Sequence, residues 1–320
     1  MRALHGGIQR MKLAILADIH GNIDALDAAL DDARTQQVDG YLFLGDYIFD
    51  MPFSTDVVRR LRELPHARII KGNKEGYLDD LARQSQDGWT AQRLAVIYQT
   101  YRELSASDRA WLSALPAQLT FTLPSGRSIY AVHAIELPAP RMRNEFNSSG
   151  EFARSLDGRM ARGDDYDLRM TGYLGAHAAE CCAHAGADIV AFGHTHLQGC
   201  GGACGRMLVN PGACGQPMDG IAGAPYAILH DGPELRIERR RVQYNIDRAI
   251  ERARTTSISR AGRIWSELVW RSLRSGRDNF TLQFDIARAL AAERGQTNGL
   301  NQNDTWRDAY ERFKAMYGAD

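Results

Sequence analysis

Five short apolar runs along the chain each stop within three residues of an aspartate, asparagine or histidine. "KLAILA" (12–17) is followed by Asp18-Ile19-His20-Gly21-Asn22, and "YLFL" (41–44) by Gly45-Asp46. "ARII" (67–70) leads to Lys71-Gly72-Asn73, "SIYAV" (128–132) to His133, and "DIVAF" (188–192) to Gly193-His194-Thr195-His196. Runs of four to six such residues read as buried strands. Between the early ones the apolar period becomes helical, at 24–35 and, after Pro52, at 55–64. That alternation predicts strand–helix–strand units in an α/β fold, with functional loops at the carboxyl edge of a sheet.

Strand character ends after "AILHDGPELRIERRRVQY". From 247 onward the pattern is helical, and Trp265, Leu268, Val269 and Leu273 fall on one helical face. The expected organisation is an N-terminal tail at 1–10, a domain at 11–245 and a helical C-terminal extension at 246–320. Packing on the domain is the plainest role for the extension; homo-oligomer formation and a cap over the site are the alternatives. Residues 134–170 lack apolar periodicity and read as a lid or insert. Arg141 and Arg143 there are candidate substrate-binding residues, because a guanidinium fork grips phosphate. The acids Glu145, Glu151 and Asp157 nearby make a self-paired, solvated lid the competing reading.

Composition narrows the function classes. The 39 basic and 39 acidic side chains cancel, so no global field argues for nucleic acid or a membrane surface. No apolar stretch approaches the roughly 20 residues that span a bilayer. The start, "MRALHGGIQRMKLAILADIHG", lacks a long apolar core and a small-residue cleavage site, which makes the cytoplasm the expected compartment. Five cysteines, at 181, 182, 200, 204 and 214, are loosely spaced without a Cys-x-x-Cys pair. They read as packing and hairpin thiols rather than a zinc clip.

Turn chemistry supplies Asp and Asn freely at strand ends, but it does not explain four of the nine histidines there. Side chains at i and i+2 of an extended segment point the same way, so His194 and His196 are expected to face one target if the strand carries that far. Carboxylate, amide and imidazole donors suit divalent first-row metals such as Mn, Fe, Zn, Co or Ni. Seven such residues are too many for one ion with open positions and about right for two ions sharing a carboxylate. Two metals can hold a bridging hydroxide for in-line attack at phosphorus, so phosphoester hydrolysis explains the set best.

The ordered motifs Asp18-x-His20, Gly45-Asp46, Gly72-Asn73, His133 and Gly193-His194-Thr195-His196 resemble the calcineurin-like metallophosphoesterase superfamily. "ADIHGN", "LGDY", "GNKE" and "NPG" are similar to its small bacterial metallophosphatase and phosphodiesterase branch. The resemblance implies a two-sheet sandwich flanked by helices and two divalent ions, manganese foremost. It implies Asp18, His20 and His196 on the first ion, Asp46 bridging, and Asn73, His133 and His194 on the second. Asn22 is a candidate substrate contact or a turn residue, and Asn210 a loop-fixing residue.

Two departures from the family stand out. Lys74 occupies the place of a histidine that serves many relatives as general acid; it could supply charge to a phosphoryl oxygen but is a poor proton donor near neutrality. Ala134 follows His133 where glycine is usual, and its methyl is expected to crowd the backbone there. Gly45-Asp46-Tyr47-Ile48-Phe49-Asp50 lacks the arginine of the protein phosphatases, which disfavours phosphoprotein substrates. The expected activity is hydrolysis of a small phosphoester or nucleotide-type substrate, diester slightly ahead of monoester. The alternative is a catalytically weak binding or scaffold module on the same fold.

Overall fold

The structure, a computed structural model, describes residues 11–134, 165–297 and 299–318. Arg141 and Arg143, with most of the expected lid, lie outside the described residues. Two five-stranded sheets form the centre. The first contains β1 (Met11–Leu16), β2 (Gly40–Phe43), β3 (Ala67–Ile69), β9 (Ala224–Asp231) and β10 (Arg236–Val242), in the order β10-β9-β1-β2-β3. The second contains β4 (Gln118–Thr122), β5 (Ser128–Val132), β6 (Ile189–Ala191), β7 (Gln198–Ala203) and β8 (Arg206–Pro211), in the order β4-β5-β6-β8-β7. This is the α/β two-sheet sandwich expected from the sequence.

Why the runs read as uninterrupted apolar stretches is clear from their two faces. Leu13 and Ile15 of β1 point into the layer between the sheets, with Leu42, Ile129, Ala131, Ile189, Val209 and Leu229. Ala14 and Leu16 point outward, under α1 (Ile23–Thr35) and α2 (Ser54–Glu63), beside Leu26, Leu30 and Val58. On the other side Tyr130, Val132, Val190 and Leu208 are covered by Leu174, Cys181 and Cys182 of α6 (Asp165–Ala185). Strands covered on both faces carry no polar alternation.

The remaining helices of the domain are α3 (Asn73–Ala82), α4 (Ala95–Glu103) and α5 (Ala106–Ala114). β1, β2 and β3 run parallel, as do β5, β6 and β8. Parallel strands deliver their carboxyl ends to one edge. The segments directly after β1, β2, β3, β5 and β6 carry all seven candidate metal ligands, six in loops and Asn73 at the start of α3. The edge is stitched by backbone bonds from Asp18 N to Gly45 O at 3.0 Å and from Gly193 N to His133 O at 2.9 Å.

The C-terminal helices are α7 (Ile246–Arg254), α8 (Ser257–Ala261), α9 (Arg263–Ser275), α10 (Phe280–Glu293) and α11 (Asn303–Tyr317). Leu268, Val269, Trp270, Leu273, Trp306 and Phe313 share a core that includes Met51, so these helices pack on the loop after β2. Cys181, Cys182 and Cys214 are buried, while Cys204 lies exposed at the β7–β8 turn. Among the described residues no helix is long and apolar enough to cross a membrane.

Trp306 is 1% exposed at the middle of the helical core. Its replacement by alanine is expected to cost about 3–5 kcal/mol of stability. Urea unfolding of the full chain measures this, and a loss below about 1 kcal/mol would contradict a shared, closely packed core.

Candidate metal centre

The loops that carry the site are bent, not extended. Asp18, His20, Asp46, His194 and His196 all have φ between 51° and 71°. Left-handed backbone at a non-glycine residue costs about 1–3 kcal/mol, and it persists only where the surroundings fix it. Here they do. His20 N donates to Asp46 O at 3.0 Å, Met51 N to His20 O at 2.9 Å, and Gly215 N to Asp18 O at 3.0 Å. Buried Glu75 accepts from the backbone N–H of Asp46, Tyr47 and Gly72 at 3.0, 2.8 and 2.7 Å, clamping the Asp46 loop to the start of α3.

Two glycines are needed for these turns to touch. Gly45 has φ 99°, and a Cβ there would stand 2.5 Å from Gly72 N and 2.9 Å from His133 Nδ1. A Cβ on Gly72 would stand 2.2 Å from Asp46 Oδ1. Any side chain at either position pushes a loop away from Asp46.

Two groups of donors result. Asp18, His20 and His196 form one, Asp46, His133 and His194 the other, with the donor atoms of each within 4.8 Å of one another. In the first, His20 Nε2 and His196 Nε2 are 3.1 Å apart, and Asp18 Oδ1 lies 3.8 and 3.5 Å from them. In the second, Asn73 Oδ1 is 3.0 Å from both His133 Nε2 and His194 Nδ1. Asp46 Oδ2 stands 3.5 Å from His133 Nε2 and 3.9 Å from His20 Nε2, on the border of the two groups.

The far sides of three rings are engaged. His133 Nδ1 donates to Leu44 O and His196 Nδ1 to Gln216 O, each at 2.7 Å. His20 Nδ1 lies 2.6 Å from Asp50 Oδ2, a close charge contact. These partners turn three Nε2 atoms toward the carboxylates. His194 and His196 do not face one target as an extended strand would have them do. β6 ends at Ala191 and both histidines are left-handed, so His196 joins Asp18 while His194 joins Asp46.

Without a cation, the charges sit as follows. Burial lowers the pKa of His20, but Asp50 and Asp18 outweigh it and raise it to about 9. Burial acts likewise on His133, where Asp46 prevails and the value rises to about 10. Burial drops His196 to about 4 despite Asp18, so its ring is neutral. Burial favours protonated Asp46, yet His133, His20 and Lys74 hold its carboxyl far below the usual range.

Donor chemistry fits divalent cations. Asp18 Oδ1 is buried and has no hydrogen-bond partner. Asn73 Oδ1 and Asp46 Oδ2 both face His133 Nε2, which accepts when that ring is neutral because its Nδ1 donates to Leu44 O. Imidazole, carboxylate and amide oxygen without thiolate suit Mn, Fe, Zn, Co or Ni.

Comparison with known proteins places this edge in a family. Residues 11–231, which span both sheets through β9, match the calcineurin-like phosphoesterase superfamily domain. The chain belongs to this superfamily. A relative from Methanocaldococcus jannaschii, an uncharacterized protein, is 25% identical over 240 residues, covering 75% of this chain and 90% of the relative. The crystal structure of a metallophosphoesterase from Sphaerobacter thermophilus superposes with TM-score 0.58 at 23% identity, covering 84% of this chain and 100% of the other. A hypothetical protein from Pyrococcus horikoshii gives TM-score 0.57 at 17% identity, covering 80% and 97%. Both structures share the fold.

The family's departures can be placed on the structure. Lys74 is largely covered: its backbone N donates to Asp46 Oδ1 at 2.8 Å, and Nζ lies 3.9 Å from Asp50 Oδ2. Burial pulls its pKa down, but Asp50 and Asp46 carry it above the ordinary lysine value. Ala134 is 3% exposed and is not among the non-glycine residues with left-handed backbone, so the expected crowding by its methyl is absent. Asn22 is fully buried. Its oxygen caps α1 at Ala25 N, and its amide donates to Gly215 O and Tyr244 Oη, each at 2.9 Å. Of the two roles open to it, the geometry provides the helix cap and leaves no free amide hydrogen for substrate. Asn210 donates to Gly193 O and Thr195 Oγ1 and accepts from Gly212 N, which ties the His194 loop to β8.

Sequence reasoning missed Asp50, Glu75 and Gln216 as partners of the site. "GNKE" carried a hint for Glu75, three residues after Gly72 in a capping-box spacing. Asp50 and Gln216 carried none.

Proton linkage gives the direction of the pH effect. His20 and His133 bind protons more tightly folded than unfolded, so in the cation-free chain their stabilisation is full below about 6.5 and is lost as pH rises through about 9 and 10. A cation needs the bare Nε2, so its uptake is expected to release protons at pH 7.5 and to tighten as pH rises toward that range. Calorimetry in buffers of differing ionisation enthalpy measures the release; cation uptake with none would contradict the charge assignment.

Proposed function

We propose that this chain is a metal-dependent phosphoester hydrolase that holds a pair of divalent cations, manganese foremost, at the edge of its two sheets. The single observation that supports this reading most is a buried cluster of ligand atoms facing one another. Asp18 Oδ1 has no hydrogen-bond partner, and it faces the Nε2 atoms of His20 and His196 across 3.8 and 3.5 Å. Asp18, His20 and His196 would hold one cation; Asn73, His133 and His194 the other; Asp46, on their border, both. Bound there, such a pair supplies Lewis acidity toward phosphoryl oxygens and lowers the pKa of water.

The chain's own groups set the substrate preference. Lys74 Nζ lies 3.9 Å from Asp50 Oδ2 and is kept cationic by Asp50 and Asp46; on this reading its charge would neutralise a phosphoryl oxygen. It is therefore a poor donor of a proton to a leaving group. Esters whose leaving groups depart unprotonated should turn over best, and diesters of small or nucleotide-type molecules fit this somewhat better than monoesters. The lysine also favours a second reading, a weakly active binding module on the same fold.

An aryl phosphodiester assayed with Mn²⁺ separates the two. Hydrolysis is expected, with kcat/KM reduced about a hundredfold or more in His194→Ala and an alkyl ester far slower than the activated aryl ester. Equal, near-zero rates for wild type and variant would favour the binding module. Equal rates for alkyl and aryl esters would show that a proton donor does exist.

A further inference from the structure

Among the described residues, the C-terminal helices meet the surroundings of the candidate metal centre through Met51 and, by a hydrogen bond, through Trp265. Trp265, in the first turn of α9, donates its indole N–H to Asp50 Oδ1 at 2.8 Å. The other oxygen of the same carboxylate is the one lying 2.6 Å from His20 Nδ1. Asp50 is 4% exposed and His20 2%, so water does not replace either contact. The indole is itself held, with its ring centroid 4.7 Å from that of Phe280 and 6.1 Å from that of Phe284, both on α10.

Asp50 needs such a holder. Phe49 and Asp50 have φ of 71° and 61°, a left-handed pair that local preference does not enforce. Ser54 fixes the Phe49 backbone by accepting from its N–H at 3.0 Å. The carboxylate's direction rests on its side-chain partners: Trp265 on one oxygen, His20 and the more distant Lys74 on the other. A carboxylate behind an imidazole sets which nitrogen faces the metal and how the ring is turned.

We infer that Trp265 is a positioning residue for the Asp18–His20–His196 cation site, acting through Asp50. The inference rests on the reading of that group as a cation site, and it makes the helical extension part of the site rather than packing alone. Trp265 touches no donor atom of the group. It fixes Asp50, Asp50 fixes His20, and the helices α9 and α10 fix Trp265.

The test uses the full chain freed of cations and titrated with Co²⁺, read by calorimetry and by the visible absorption of the bound ion. Trp265→Phe keeps an aromatic ring against Phe280 and removes only the N–H donor. It is expected to weaken one of two sites about tenfold and to alter its absorption. Trp270→Phe, on the same helix but in the helical core, serves as the control and should bind like wild type. Asp50→Asn should weaken the same site at least as much. The double variant should lose no more than Asp50→Asn, because Trp265 works only through that carboxylate. Wild-type affinity in Trp265→Phe, with or without a lower melting temperature, overturns the inference. So does wild-type affinity in Asp50→Asn, whether or not Trp265→Phe folds. Failure of the wild-type chain itself to take up the ion overturns the metal-centre reading, and this inference with it.

Discussion

Neutral ring nitrogens and ionised carboxylates, stripped of water and pointed at one another, are stable only with positive charge between them. That constraint organises the sheet edge of this protein. Without a cation, protons on His20 and His133 supply the charge, which is why burial fails to lower their pKa values. His196, less favoured by its neighbours, goes without. On the proposed reading cations would displace those protons, and the loops would hold the ligand atoms in place for the exchange.

The fold does this with parallel strands and bent loops. Six parallel strands in two sheets end on one edge, and the bends after them turn side chains inward that an extended chain would splay. The cost of left-handed backbone is offset by hydrogen bonds that cross between loops: Glu75 to the Asp46 turn, Asn210 to the His194 turn, Gln216 O to the His196 ring. The helical extension adds a further brace through Trp265 and Met51. Strain and bracing are therefore concentrated at the candidate metal centre, as expected for a preorganised site.

Much of this is legible in the sequence, for a physical reason. Strands buried on both faces are continuous apolar runs, and the candidate ligands follow them within a few residues, so run and ligand could be read together. "KLAILA" at 12–17 became Met11–Leu16, a shift of one residue. What depends on contacts distant in sequence was not legible: Trp265 and Asp50 are 215 residues apart, and neither position has a local pattern that points to the other. Residues 83–127 hold α4, α5 and the edge strand β4, whose alternating exposure gives only a weak apolar signal. The rule that i and i+2 face alike failed at Gly193-His194-Thr195-His196, because the strand had already ended.

The account turns on whether the two donor groups each take a cation. A crystal of the full chain grown with Mn²⁺ and measured at the manganese absorption edge addresses this directly. Two anomalous peaks are expected, one ligated by Asp18, His20 and His196, the other by Asn73, His133 and His194, with Asp46 touching both. An ordered edge with these side chains in place and no anomalous density among them would contradict it.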